Sequence, residues 1–233
     1  MVELTRSKIT GTGTRVSLAV SAVIFALRPH PKTGTLTLWL PLVRRIREPY
    51  LGQWALPGGP LEPEHDLVAS ARQTLAITAG LDATYLEQLY SFGAVDRSGV
   101  EPDERTVSVV YWALVPRDQE PAVVDGVEWF IADEVPQLAF DHNAIVEYAL
   151  DRLRAKITYS PIALAFVGRE FTLADLRTVH EAVLGKPMDP ANFRRQVLGS
   201  GSVVPTGREL AGTSHRPPKL YRAAAPLTTK EPR

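Results

Sequence analysis

Residues 56–81 read LPGGPLEPEHDLVASARQTLAITAGL, and the stretch splits into two kinds of backbone. Five of its first eight residues are Gly or Pro. Proline has no amide hydrogen to give a helix and glycine loses the most freedom on ordering, so 52–63 is too rich in both to be helix. Asp66 then offers an N-cap oxygen and Gly80 a residue at ease in the left-handed conformation that ends helices. Between them the pattern predicts a helix over 67–78. Leu67, Ala71, Thr74, Leu75 and Thr78 fall on one helical face, which requires a sheet to cover it.

The flanking sequence supplies that sheet. Residues 16–27, VSLAVSAVIFAL, follow Arg6, Lys8 and Arg15 in the manner of a signal peptide, but RPHPKTG comes next, with no small-residue cleavage site. The run is also far shorter than the ~20 residues of a membrane span. It reads as a buried strand, and the chain is expected to be cytoplasmic with no membrane partner. A turn at 30–34 and a second strand over 35–45 complete a hairpin. Further strands are predicted at 85–92, 105–114 and 127–130. A helix over 144–156 carries Ile145, Ala149, Leu150 and Leu153 on one face and Arg152, Arg154 and Lys156 at its end, where cations suit the helix dipole. Residues 1–14 are polar and read as a loose arm, so 1–156 is expected to be one mixed α/β domain.

The pattern then changes. Ser160-Pro161 restarts the chain with a short helix over 161–167. Thr172 and Asp175 form a capping box ahead of Leu173, Leu176, Val179 and Val183, and Gly185 stops that helix. Asp189-Pro190 opens a third helix that ends at Gly199. Val203-Val204 and Leu220-Tyr221 can pair around the loop GRELAGTSHRPP. Three helices and a β ribbon are the plan of a winged helix-turn-helix, expected over 157–233. The fold class expected is α+β, an α/β/α sandwich with a mixed sheet followed by that winged helix.

Composition narrows the function. There is no cysteine, so disulfides, thiolate metal sites and thiol nucleophiles are excluded. Basic and acidic residues balance at 26 each, which argues against nucleic acid only if the charge is evenly spread. Up to Lys156 there are 15 basic and 20 acidic residues; beyond it, 11 and 6. Between residues 186 and 222, Lys186, Arg194, Arg195, Arg208, Arg216, Lys219 and Arg222 face only Asp189 and Glu209. The second half is a basic unit attached to an acidic one.

The glycine loop and its helix resemble the signature of the Nudix family of nucleoside-diphosphate hydrolases. Aligned on Gly59 and Gly80-Leu81, the spacing matches without a gap. The resemblance implies glutamates at i, i+3 and i+4 of the helix, whose carboxylates jointly hold magnesium. Those positions are Thr74, Ile77 and Thr78; the preceding glutamate is replaced by His65 and the arginine by Gln73. Without carboxylates there the helix cannot hold a hard cation, so no catalytic residue, no metal and no hydrolase activity are expected. Glu62, Glu64 and Asp66 precede the ligating face and read as loop acids or caps. Arg44, Arg45, Trp54, Gly58, Gly59 and Arg105 are the expected ligand-binding residues, arginines gripping a pyrophosphate and Trp54 stacking a base. Taken singly, a strand-end arginine is usually a solvated charge and such a tryptophan usually packs in the core. Phe140-Asp141-His142 also resembles a family segment, where a lone histidine is more often structural.

On the third predicted helix, Phe193 and Val197 face inward and leave Asn192, Arg194, Arg195 and Gln196 outside. Their forked donors and acceptors match guanine and adenine edges in a major groove. Arg208, His215, Arg216 and Lys219 in the wing suit phosphate or minor-groove contact. The pairing of a degenerate Nudix domain with a winged helix containing NFRRQVL, PTG and RPPKLYR resembles the NrtR family of Nudix-related regulators of NAD metabolism, over about residues 16–223. That resemblance implies a homodimeric repressor on a palindromic double-stranded operator, with ADP-ribose as effector and no cofactor required. The competing readings are an active hydrolase of ADP-ribose-like substrates with an accessory docking domain, and an inert interaction scaffold.

Overall fold

The computed structural model describes residues 15–80, 85–94, 97, 104–210 and 217–227. Its centre is β1 (Arg15–Pro29), a 15-residue strand that pairs in parallel with β6 (Glu104–Val115) from Arg15↔Glu104 to Ala26↔Val115. β1 also pairs antiparallel with β2 (Leu36–Arg44) through its second half and with β4 (Gly58–Pro60) through its first. β3 (Trp54–Ala55) and β7 (Val127–Ile131) join β2, and β5 (Tyr85–Phe92) closes the far edge beside β6. The sheet is thus mixed.

The two faces of β1 explain its unbroken apolar run. Val20, Ala22, Ile24 and Ala26 pack with Ala71, Leu75 and Ala79 of α1 (Leu67–Ala79). Val23, Phe25 and Leu27 turn the other way, onto Ile145, Ala149 and Leu153 of α2 (His142–Tyr159). Alternate residues of a strand point to opposite faces, so a strand covered on both sides is apolar throughout. α1 is capped as expected: Asp66 accepts from Ala69 N at 2.7 Å, and Gly80 ends the helix at φ 67°.

α2 is longer than its apolar pattern suggested, starting at His142 and running to Tyr159. His142 is buried although polar, and Thr158-Tyr159 continue the helix because the stop comes only at Pro161, which disfavours helix in the residue before it. The expected division after Lys156 therefore falls inside the last turns of a helix rather than in a linker. A 3-10 turn, Pro161–Phe166, follows with residues 162–166 all buried.

Next come α3 (Leu173–Leu184), with its complete Thr172–Asp175 capping box, and α4 (Pro190–Gly199). β8 (Val203–Glu209) and β9 (Lys219–Ala223) form the wing. The wing is more than the two-stranded ribbon expected: Phe171 exchanges both backbone bonds with Tyr221, at 3.0 and 2.8 Å, and lays a third segment beside β9. One apolar cluster runs without a break from Val23 and Trp112 through Ile157 and Phe166 to Val179, Phe193 and Tyr221, so sandwich and winged helix share a core. Among the described residues no helix is long and apolar enough to cross a membrane.

Candidate functional site

A cleft of about 250 Å³ opens over the first half of β1, beside β4 and β6. Its floor is made by the glycine loop. Ala22 N donates to Pro57 O at 2.9 Å and Leu61 N to Leu18 O at 3.0 Å, which draws β4 tight against β1. Gly58 has φ 154°, and a Cβ added there would lie 2.4 Å from the Val20 carbonyl oxygen and 2.7 Å from Ser21 Cα. Only glycine allows this approach.

Two guanidinium groups border the cleft. Arg45 Nε donates to Pro49 O at 2.7 Å, and its Cζ lies 4.6 Å from the centre of the Phe140 ring. Burial holds the Arg45 pKa below its ordinary value, with Glu48 pulling the other way. Phe140 keeps a left-handed backbone, φ 57°, unusual for a bulky residue, and Tyr50 meets its ring edge-on at 4.8 Å. Opposite, the Arg97 side chain is 5% exposed; its Nε donates to Asp141 Oδ2 at 2.6 Å and its Nη1 to Ser108 Oγ at 2.7 Å. Partly desolvated arginines above exposed backbone are suited to a diphosphate.

Of the six ligand residues expected, Arg45, Gly58 and Gly59 line this cleft. The other three stand elsewhere. Arg44 is exposed, with its Nε on Gly52 O at 3.3 Å. Trp54 packs edge-on against Phe130 at 5.2 Å and takes Ala139 N on its carbonyl at 2.8 Å, so the core has claimed it. Arg105 alternates along β6 with Thr106 and Ser108, both of which line the cleft, and donates instead to Gly93 O. Arg97 was missed, since it follows β5 in a segment with no periodicity or motif to mark it. His142 also lines the cleft, but its Nδ1 accepts from Leu56 N at 2.9 Å, and burial brings its pKa down to about 4. It is a neutral structural acceptor.

The magnesium that the family resemblance implies would have to sit on α1. Thr78 is buried, Ile77 is 65% exposed and Thr74 is half-buried, so this face offers no carboxylate, and Asp66 is spent as the helix cap. These residues do not fit a hard cation.

The second candidate surface lies on α4 and the wing. Phe193 and Val197 are buried, and Asn192, Arg194, Arg195 and Gln196 are exposed as expected. Arg195 Nη2 donates to Asn192 Oδ1 at 2.7 Å, pre-aligning the two forked groups. Lys219 is exposed, whereas Arg208, 70% exposed, pairs with Glu170 at 2.7 Å. His215 and Arg216 lie outside the described residues.

Comparison with known proteins bears on both surfaces. The Nudix domain family matches residues 18–152, and the NrtR DNA-binding winged helix domain matches residues 163–223. The chain is 34% identical over 191 residues to the ADPR responsive transcriptional repressor NtrR of Acinetobacter baylyi, covering 78% of this chain and 74% of that one. It is similar to the crystal structure of Shewanella oneidensis NrtR complexed with a 27mer DNA, with a TM-score of 0.74, 33% identity, and coverage of 88% of this chain and 93% of that chain. The NUDIX domain of the same Shewanella protein, complexed with ADP ribose, matches with a TM-score of 0.50 and 31% identity, covering 60% of this chain and 89% of that one.

Proposed function

The chain belongs to the NrtR family, and from that premise we propose that it is a transcriptional repressor whose hold on DNA is set by ADP-ribose in the cleft. The observation that carries the reading is the joining of two surfaces by one core. A cleft bordered by Arg45 and Arg97 and an α4 face of Asn192, Arg194, Arg195 and Gln196 rest on the same apolar cluster. In this reading the two arginines grip the pyrophosphate, and the close backbone at Gly58-Gly59 lets the ligand lie flat on β1.

The reading extends to features that the family resemblance implies. The protein acts as a homodimer on a palindromic operator in front of genes of NAD biosynthesis or salvage, because paired recognition helices need half-sites related by the same symmetry. Asn192, Arg194, Arg195 and Gln196 read bases, and Arg208, His215, Arg216 and Lys219 meet the backbone. The Nudix domain binds without hydrolysing, since α1 presents Thr74, Ile77 and Thr78 where catalysis needs carboxylates. It works in the cytoplasm.

A gel shift tests this on DNA upstream of the protein's own operon and of NAD genes, with and without ADP-ribose. A specific complex weakened by ADP-ribose is expected. No specific complex, or one indifferent to ADP-ribose, overturns the repressor reading; steady AMP release from ADP-ribose with magnesium overturns the inactive domain.

A further inference from the structure

We propose that Tyr90, Phe92 and Tyr148 form the seat for the nucleobase of the nucleotide held in the cleft, an inference that rests on the ligand reading above. The three rings make one cluster, with centroids 5.5 Å apart for Tyr90 and Phe92, 5.5 Å for Tyr90 and Tyr148, and 5.8 Å for Phe92 and Tyr148. Two of them stay open to solvent, Tyr90 at 55% exposure and Tyr148 at 40%. Rings gathered together yet left this wet gain little from their own burial, so the cluster calls for another explanation.

Its position supplies one. Phe92 stands directly opposite Ser108 across β5 and β6, and cross-strand partners send their side chains to the same face. Ser108 lines the cleft. The Phe92 carbonyl accepts from Arg97 Nη1 at 3.3 Å. Tyr148 follows Asp141, the partner of Arg97, by seven residues, which places it on the same side of α2 about 10 Å further along. The aromatic shelf therefore begins where the guanidinium that borders the cleft ends.

Size points the same way. A cleft of about 250 Å³ falls below the ~300–1,000 Å³ that encloses a drug-sized ligand, so a dinucleotide-like molecule must extend beyond it. Toward Arg45 the aromatic surface is already taken, since the Arg45 guanidinium lies over Phe140 at 4.6 Å and Tyr50 covers its edge. Toward Arg97 the rings are open. Stacking uses the face that every base has and tolerates changes at its edge, so the shelf recognises a base without choosing strongly among purines. Specificity for the ligand then lies with the arginines at the diphosphate.

Titration calorimetry on the full chain tests this with ADP-ribose and with ribose 5-phosphate, which lacks a base. The double variant Tyr90→Ala/Tyr148→Ala should weaken ADP-ribose by ~10-fold or more and leave ribose 5-phosphate unchanged. Tyr90→Phe/Tyr148→Phe should restore binding, and hypoxanthine in place of adenine should shift wild-type affinity only about threefold. Equal losses for both compounds, or none for either, overturn the shelf while the cleft stands. Wild-type protein that binds neither compound overturns the ligand reading and the shelf with it. A changed sedimentation mass for the alanine variant would make the rings a subunit interface and overturn the base seat.

Discussion

Replacing Phe166 by alanine should unfold both halves of the molecule together. Phe166 is fully buried in the 3-10 turn between α2 and α3, and its carbonyl accepts from Arg117 N, just past β6, at 3.0 Å. It belongs to the cluster that holds Val23, Phe25 and Trp112 of the sandwich and Val179 and Phe193 of the winged helix. A phenylalanine-to-alanine cavity costs ~3–5 kcal/mol. In a chain of this size each kcal/mol moves the melting temperature by ~2–4 °C, so the expected fall is roughly 6–20 °C. The natural probes separate the two halves: the four tryptophans, Trp39, Trp54, Trp112 and Trp129, all lie in the sandwich, whereas far-UV circular dichroism sees every helix. Tryptophan fluorescence and circular dichroism should therefore keep coincident midpoints in both proteins, with matching calorimetric and van't Hoff enthalpies. A fluorescence midpoint that stays at the wild-type value while dichroism shows an earlier melt would refute the shared core.

Four further outcomes are expected. Burial holds His142 at a pKa of about 4 against 6.5 when unfolded, so the unfolded chain takes up the proton first as pH falls. Stability should then be full above pH ~6.5 and decline by roughly 3 kcal/mol toward pH ~4. His180, also depressed by burial, adds to the slope in the same sense. His142→Asn keeps an acceptor for Leu56 N but cannot titrate, and urea unfolding at several pH values should find its slope shallower; an unchanged slope counts against the assignment. Gly58→Ala should cost about 1–3 kcal/mol of unfolding free energy and loosen ADP-ribose binding, because its Cβ collides with the β1 backbone; undiminished affinity by calorimetry would mean the cleft floor yields freely. Lys219→Ala should lower the salt slope of operator binding by about 0.9 while keeping sequence preference, and Arg195→Ala should cost ~1–3 kcal/mol of discrimination, both read by titrations across salt concentrations.

The elements were legible where one signal was strong. Asp66 and Gly80 bracketed α1, Thr172 and Asp175 opened α3, and Phe193 with Val197 set the rotation of α4. The same logic failed at the start of α2, because His142 is polar yet buried by its bond from Leu56 N, a partner 86 residues away, and at its end, because the stop comes only at Pro161. The outward face of α4 could be read because a short helix fixes it once its two buried residues are known. The lining of the cleft could not, since it is assembled across β1, β4, β6 and the start of α2. Whether Arg44 or Arg45 turns inward depends on the path of the Tyr50 loop, and Arg97 reaches the cleft only because Asp141 and Ser108 are there to receive it.

On the function proposed, the shared core also bears on how a small ligand would act on DNA binding. A ligand moves an equilibrium only by binding one arrangement better than the other, and passing from 1:99 to 99:1 takes about 5.5 kcal/mol of difference. Hydrogen bonds to charged groups contribute ~1.5–3 kcal/mol each, so two arginines on a diphosphate supply energy of that order. Two domains on a loose linker would lose it, because the linker would absorb any movement. Here α2 is an unbroken helix of 18 residues, ~27 Å. Asp141 ties its start to Arg97; Arg154, near its end, holds both Asp133 oxygens at 2.7 and 2.8 Å and donates through Nε to Val183 O of α3 at 3.2 Å. On the function proposed, a shift at the cleft would pass along α2 to the interior beneath α3 and α4, and packed interiors change between discrete arrangements rather than by degrees. On the function proposed, the acidic half would lower the electrostatic hold of the basic half on DNA and so narrow the difference that a single nucleotide has to cover.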